Sequence, residues 1–153
     1  MGSVEKQFRK MFGAGVEQYK DTSLTNAQLE ALFTTPITLV AAPFTGSLLI
    51  FCGALVRCPA NLDAQTVPGN AELAISYTNA VGLKVGQAET TGFLDQVTEQ
   101  VRWINAYRAA SAISSITPVT ASPLVLHALD SNYSAGVAIL HVRTFYRVLP
   151  TAF

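Results

Sequence analysis

The side chains able to do chemistry are few and scattered. Cys52 and Cys58 stand six residues apart in one apolar stretch. In an extended strand that spacing separates their Cα atoms by roughly 20 Å, beyond disulfide reach, so two free thiols in a reducing environment are expected. His127 and His141 have no second Cys or His near them in the chain. Zinc-type spacing is therefore absent and no metal site is expected, unless copies of His141 meet on a symmetry axis. Asp95 and Glu99 are four apart, a spacing that places two carboxylates on one solvated helix face rather than across a reacting bond. Arg143 and Arg147 interleave with Phe145 and Tyr146, a pattern that can stack single-stranded nucleic acid. Two arginines make no groove, and a net charge of zero lacks the basic footprint of a nucleic-acid binder. Trp103 and Tyr107 form the one aromatic pair that suggests a sugar platform. No nucleophile elbow or zinc-hydrolase helix occurs, and VGQAETTG lacks the lysine of a phosphate-binding loop. Neither an enzyme nor a cofactor is expected.

The element that must position these groups is Ala135–Leu149, the longest period-two stretch. Ala138, Leu140, Val142, Thr144, Tyr146 and Val148 fall on one face, while His141, Arg143, Phe145 and Arg147 fall on the other. Such a strand needs paired neighbours and a second layer over its apolar face. At 153 residues the chain has room for one core. Half of it is hydrophobic and only 13% is charged, against roughly 25% in ordinary soluble domains. Seven of the twenty charges lie in residues 1–21, so the remainder is poorer still. Charge depletion on this scale marks surface covered by other subunits or by a larger assembly.

Residues 1–23 have no strand period and read as an N-terminal arm, with 24–153 as the folded domain. Within the arm, Val4, Phe8, Met11 and Phe12 have the spacing of a short amphipathic helix. Its first twenty residues lack the apolar core of a signal peptide. Thr25 or Asn26 caps a short helix carrying Leu29, Leu32 and Phe33, and Pro36 ends it. Residues 31–56 are free of charge, but Pro36 and the turn residues 42–47 divide them into two strands, so no membrane span is expected.

The predicted strands are Ile37–Ala42, Ser47–Cys58, Ala71–Thr78, Leu83–Glu89, Gln100–Ala106, Pro123–Leu129 and the organising strand. Ser47–Cys58 is apolar on both faces and should be central with something packed on each side; Gly53 within it suggests a bulge. Residues 93–99 are read as one or two helical turns, with a single helix through residue 108 as the alternative. The expectation is an all-β fold: an antiparallel β-sandwich or jelly roll of about eight strands, with one or two short helices and an extended N-terminal arm.

LTNAQLEALFTTPITLVAAP, GFLDQ with VRWI, SPLVLHAL and the closing HVRTFYRVL together resemble a family of small structural proteins of tailed-bacteriophage virions. The resemblance covers about residues 24–149 and marks turns and core positions rather than catalytic groups. It implies a jelly-roll capsid decoration, or cement, protein on the outer surface of the head, made in the host cytoplasm. Its partners would be the major capsid protein and copies of itself, most commonly as a homotrimer. The alternatives are a tail, baseplate or fibre-base adaptor and a carbohydrate-binding jelly roll. Candidate partner-contact residues are Phe8, Arg9, Met11, Phe12 and Tyr19 in the arm, and His141, Arg143 and Arg147 on the last strand. Deleting residues 1–21 is expected to weaken shell binding and leave the fold intact.

Overall fold

The computed structural model describes residues 15–69, 71–106 and 119–151. Eight strands and one short helix follow in the order β1 (Gln18–Leu24), α1 (Asn26–Glu30), β2 (Ile37–Val40), β3 (Ser47–Cys58), β4 (Leu73–Tyr77), β5 (Lys84–Ala88), β6 (Gln100–Asn105), β7 (Leu124–Ala128) and β8 (Leu140–Pro150). They form two four-stranded antiparallel sheets, ordered β1-β8-β3-β6 and β2-β7-β4-β5. The pairings β1 with β8, β2 with β7, β3 with β6 and β4 with β5 are those of one long hairpin. The cross-pairings of β3 with β8 and β4 with β7 roll that hairpin into a two-sheet sandwich, the jelly-roll arrangement.

Alternation builds the core. Leu140, Val142 and Thr144 of β8 point inward beside Leu49, Phe51, Ala54 and Val56 of β3 and Ile104 of β6. Leu73, Ile75 and Tyr77 of β4 and Leu124, Leu126 and Ala128 of β7 close over them from the other sheet. Thr25 caps α1 with a capping box: its hydroxyl accepts from the Gln28 amide, and the Gln28 side chain accepts from the Thr25 amide. The helix tucks Leu29 into the core, and the turn that follows it buries Leu32.

Several boundaries differ from the sequence reading, each for a physical reason. Residues 18–23, placed in the arm, form edge strand β1 together with Leu24, paired along its whole length with β8. Only Leu24 of that strand is buried, so its pattern carries no apolar face. A deletion of residues 1–21 would therefore cut into a sheet. The organising strand starts at Leu140 rather than Ala135, because Ala135 and Gly136 take positive φ (51° and 98°). A Cβ on Gly136 would lie 2.6 Å from the Ala64 carbonyl oxygen, so the chain turns there. Residues 91–95 form a turn, closed by Phe93 and Leu94 amides donating to the Thr90 carbonyl, rather than helical turns. Residues 100–105 are strand, not the continuation of a helix.

Strand β3 is central, as expected, but its two faces are not equally covered. The register slips between Phe51 and Gly53, so Cys52 is the extra residue of a bulge at Gly53. Inward-facing positions are Leu49 and Phe51 before it, then Ala54, Val56 and Cys58 after it. Ile50 and Leu55, on the other face, are each 38% exposed. Among the described residues nothing packs fully over them.

Candidate functional site

The outer face of the β1-β8-β3-β6 sheet gathers several of the side chains that the sequence singled out. Register places Tyr19 opposite Phe145, Asp21 opposite Arg143 and Ser23 opposite His141. On the far side of β8, Gly53 lies opposite Phe145 and Leu55 opposite Arg143, and Leu55 is in turn opposite Trp103 of β6. Four strands thus present one continuous surface.

An aromatic row crosses its middle. Tyr19 and Phe145 have ring centroids 6.4 Å apart, and Phe145 and Trp103 are 5.5 Å apart, both tilted. The last contact depends on Gly53, which sits at φ 151° and whose missing Cβ leaves room for the indole. Trp103 is 48% exposed, and Val101 and Tyr19 are more open still. With Ile50 and Leu55 they make an uncovered apolar surface, rarely left this way on a free monomer.

Charges flank the row and are matched. Arg143 grips Asp21 through two bonds, Nε to Oδ1 at 2.7 Å and Nη2 to Oδ2 at 2.8 Å, and its guanidinium stacks 4.6 Å from the Tyr19 ring. The bond from Arg143 holds the Asp21 carboxyl below its ordinary range. Arg57 binds Glu99 at 2.5 Å and likewise lowers its pKa, while Arg147 approaches Glu17 at 3.8 Å. Each guanidinium is thus answered by a carboxylate, so Arg143 and Arg147 do not form a basic stripe for nucleic acid.

Tyr19, His141, Arg143 and Arg147 are therefore brought together on one face. His141 is bound through Nδ1 to the Ser23 hydroxyl at 2.8 Å. Phe8, Arg9, Met11 and Phe12 lie outside the described residues, as does Tyr107. Ile50, Leu55, Val101 and Phe145 were not anticipated as contact residues. Phe145 shared a face with Arg143 and Arg147 by simple alternation; the others join it only through the register of β3 and β6.

The remaining reactive groups are dispersed. His127 lies on the other sheet, its Nε2 3.0 Å from the Ser76 hydroxyl and its Nδ1 3.2 Å from the Ala128 carbonyl. Because a carbonyl only accepts, Nδ1 carries the proton and Nε2 accepts from Ser76. That is the bonding of a nucleophilic pair, but both side chains are buried, so no substrate reaches the hydroxyl. Asp95 and Glu99 are not paired: Asp95 accepts from Gln96, and Glu99 is held by Arg57. Both thiols are free, and burial raises the pKa of each. Among the described residues no group of three or more His, Cys, Asp or Glu could hold a metal ion, and no helix is long and apolar enough to cross a membrane.

No family model matches the chain, and no curated protein matches it in sequence. Two solved structures are similar to it in fold. One is a chain of the cyanophage Pam1 capsid asymmetric unit, 12% identical over 91% of this chain and 88% of that one, with a TM-score of 0.48. The other is a chain of the capsid of Ralstonia phage GP4, 13% identical over 88% of this chain and 85% of that one, with a TM-score of 0.49.

Proposed function

We propose that the chain is a non-enzymatic structural protein of a tailed-phage virion. In this reading it is a decoration protein that binds the major capsid protein on the outer surface of the head and stabilises the assembled shell. The observation that carries the reading is the uncovered face of the β1-β8-β3-β6 sheet: an aromatic row of Tyr19, Phe145 and Trp103 beside Ile50 and Leu55, with matched ion pairs around it. A neutral apolar face on a charge-poor chain is suited to burial against protein. The resemblance of residues 24–149 to phage virion proteins supplies the kind of partner.

A closed homotrimer would cover part of this face with sister subunits and present three copies of the arm to the capsid at once, so that weak contacts act together. Phe8, Arg9, Met11 and Phe12 are the arm's anchors in this scheme. Binding only to the assembled shell shifts the balance against disassembly without any reaction.

The test is to add purified protein to heads that lack it, then count copies per particle and heat the particles. Occupancy that scales with the capsid lattice, with a raised disruption temperature, supports decoration. A few copies confined to one vertex or to the tail sink it in favour of the adaptor. The role of the arm is tested separately with a truncation that removes residues 1–14 and so leaves β1 whole. Undiminished shell binding by that variant eliminates the arm as an anchor.

A further inference from the structure

A groove runs along the open edge of the sandwich, where β5 and β6, the last strands of their respective sheets, lie side by side. Its volume is about 510 Å³, within the range of small-molecule sites, about 300–1,000 Å³. Gly86 of β5 allows the two strands to come this close. A Cβ there would lie 2.8 Å from both Ile104 and Phe51 and 3.3 Å from the Asn105 carbonyl oxygen. Small residues, Ala88 and Ala106, leave the groove open, and Gln87, Glu89, Arg102, Trp103 and Asn105 supply its chemistry.

We propose that this groove binds a neutral hexose unit of a glycan. Its lining holds one half-exposed indole, two carboxamides, one carboxylate and one guanidinium. Arg102 is anchored: its Nη2 donates to the Gly92 carbonyl at 3.0 Å, and its guanidinium lies 5.9 Å from the Phe93 ring centre. Gln87 accepts from the Lys84 ammonium through its oxygen, which leaves its amide hydrogens to donate. Glu89 and Asn105 make no side-chain hydrogen bond among the described residues.

Three ligand classes can be compared against that lining. A phosphate or carboxylate is drawn by Arg102 and by Lys84, which bonds Gln87, but meets the opposing charge of Glu89. A wholly apolar ligand strips water from Glu89, Asn105 and Gln87 and returns no hydrogen bond. A neutral sugar fits both halves. Its hydroxyls donate and accept, as the carboxylate and amides require, and its C–H face can lie on the Trp103 indole. The groove shares Trp103 with the uncovered face of the β1-β8-β3-β6 sheet, so a sugar and an assembly partner would compete for the indole, whereas Glu89 and Asn105 lie outside the aromatic row and report on the groove alone.

Trp103 is the only tryptophan in the chain, so its emission reports directly from the groove. The experiment titrates the full-length protein with galactose, glucose, mannose and N-acetylglucosamine, and with N-acetylneuraminate and inorganic phosphate as anionic probes. Saturation-transfer NMR on the same panel detects binding that leaves the emission unchanged. The expected result is saturable binding of at least one neutral sugar, weakened at least about tenfold in both Glu89→Ala and Asn105→Ala. These side chains are exposed, so the variants should keep the parent's thermal midpoint. The proposal is overturned if no neutral sugar binds by either readout, if binding survives unchanged in both variants, or if only the anions bind.

Discussion

Replacing Gly53 with alanine tests the geometry on which the aromatic row depends. The residue sits at φ 151° in the bulge of β3, and its new Cβ would lie 2.5 Å from Trp103 Cζ2, 3.1 Å from Cε2 and 3.3 Å from the Ile104 carbonyl oxygen. Two costs follow. Holding a non-glycine residue in that backbone region costs about 1–3 kcal/mol. Lifting the indole away from Phe145 forfeits about 0.5–1.5 kcal/mol of ring contact. The sum is about 1.5–4.5 kcal/mol, which for a chain of this length lowers the thermal midpoint by on the order of 10 °C. Urea unfolding followed by far-UV circular dichroism measures the stability in every variant, and where Trp103 is present its native emission reports whether the ring has moved. The same substitution in a Trp103→Ala background separates the two causes. There the clash with the indole vanishes while the backbone strain and the approach to the Ile104 carbonyl remain, and the cost should fall by about 0.5–1.5 kcal/mol. A loss below about 0.5 kcal/mol with unchanged emission, or an equal cost in both backgrounds, would refute the account of Gly53 as the seat of the indole.

Other consequences can be checked with the same preparations. Leu55→Asp places a charge in the middle of the uncovered face, where the side chain is 38% exposed; it should change folding stability by no more than about 0.5 kcal/mol yet, under the proposed homotrimer, lower the light-scattering mass toward that of a monomer. His127 is held below its ordinary pKa of 6.5 by burial, and Lys84 adds to the effect while the Ala128 carbonyl opposes it. The unfolded chain therefore binds the proton more tightly, and this contribution to stability is complete above about pH 6.5 and declines as the pH falls toward the folded value. Urea midpoints measured from about pH 8 to about pH 5 should show that decline in the parent and a flatter profile in His127→Gln. Thr25→Ala breaks the capping box and should cost about 1 kcal/mol, read as a downward shift of the urea midpoint with an unchanged slope.

The legible part of the fold was the part whose alternation had one buried side and clear turns at its ends. Strands β3, β4, β5 and β7 lie within a residue or two of their predicted limits, because Pro43–Gly46 and Asn79–Gly82 punctuate them and their inward positions are apolar. Strand β1 escaped because QYKDTSL is an edge strand whose side chains pair across to β8: Tyr19 with Phe145 and Asp21 with Arg143. Those matches become visible only once the register is known. The same limit applied to the site. Alternation alone put His141, Arg143 and Arg147 on one face of β8, but the row from Tyr19 to Trp103 spans four strands and turns on a bulge that reverses the parity of β3. Nor could composition distinguish an apolar face buried in a core from one left open, which is why β3 was expected to be covered on both sides.

The nested pairing also sets the order in which a growing chain can fold. Of the eight described strands β1 emerges from the ribosome first, yet its one neighbour among them is β8, and β2 likewise waits for β7. The innermost pair, β4 with β5, can close early, because only a short turn separates its strands. Pairing therefore proceeds from the middle of the chain outward, while synthesis runs from one end to the other. Until the last strands are made, β1 and β3 lack their pairing to β8 and the inner face of β3 lacks its cover from β7, and such long-range closure is slow compared with local pairing. A translating ribosome would thus carry an incomplete sandwich for most of its passage along the message, and chaperone occupancy on nascent chains should persist until β8 has cleared the exit tunnel.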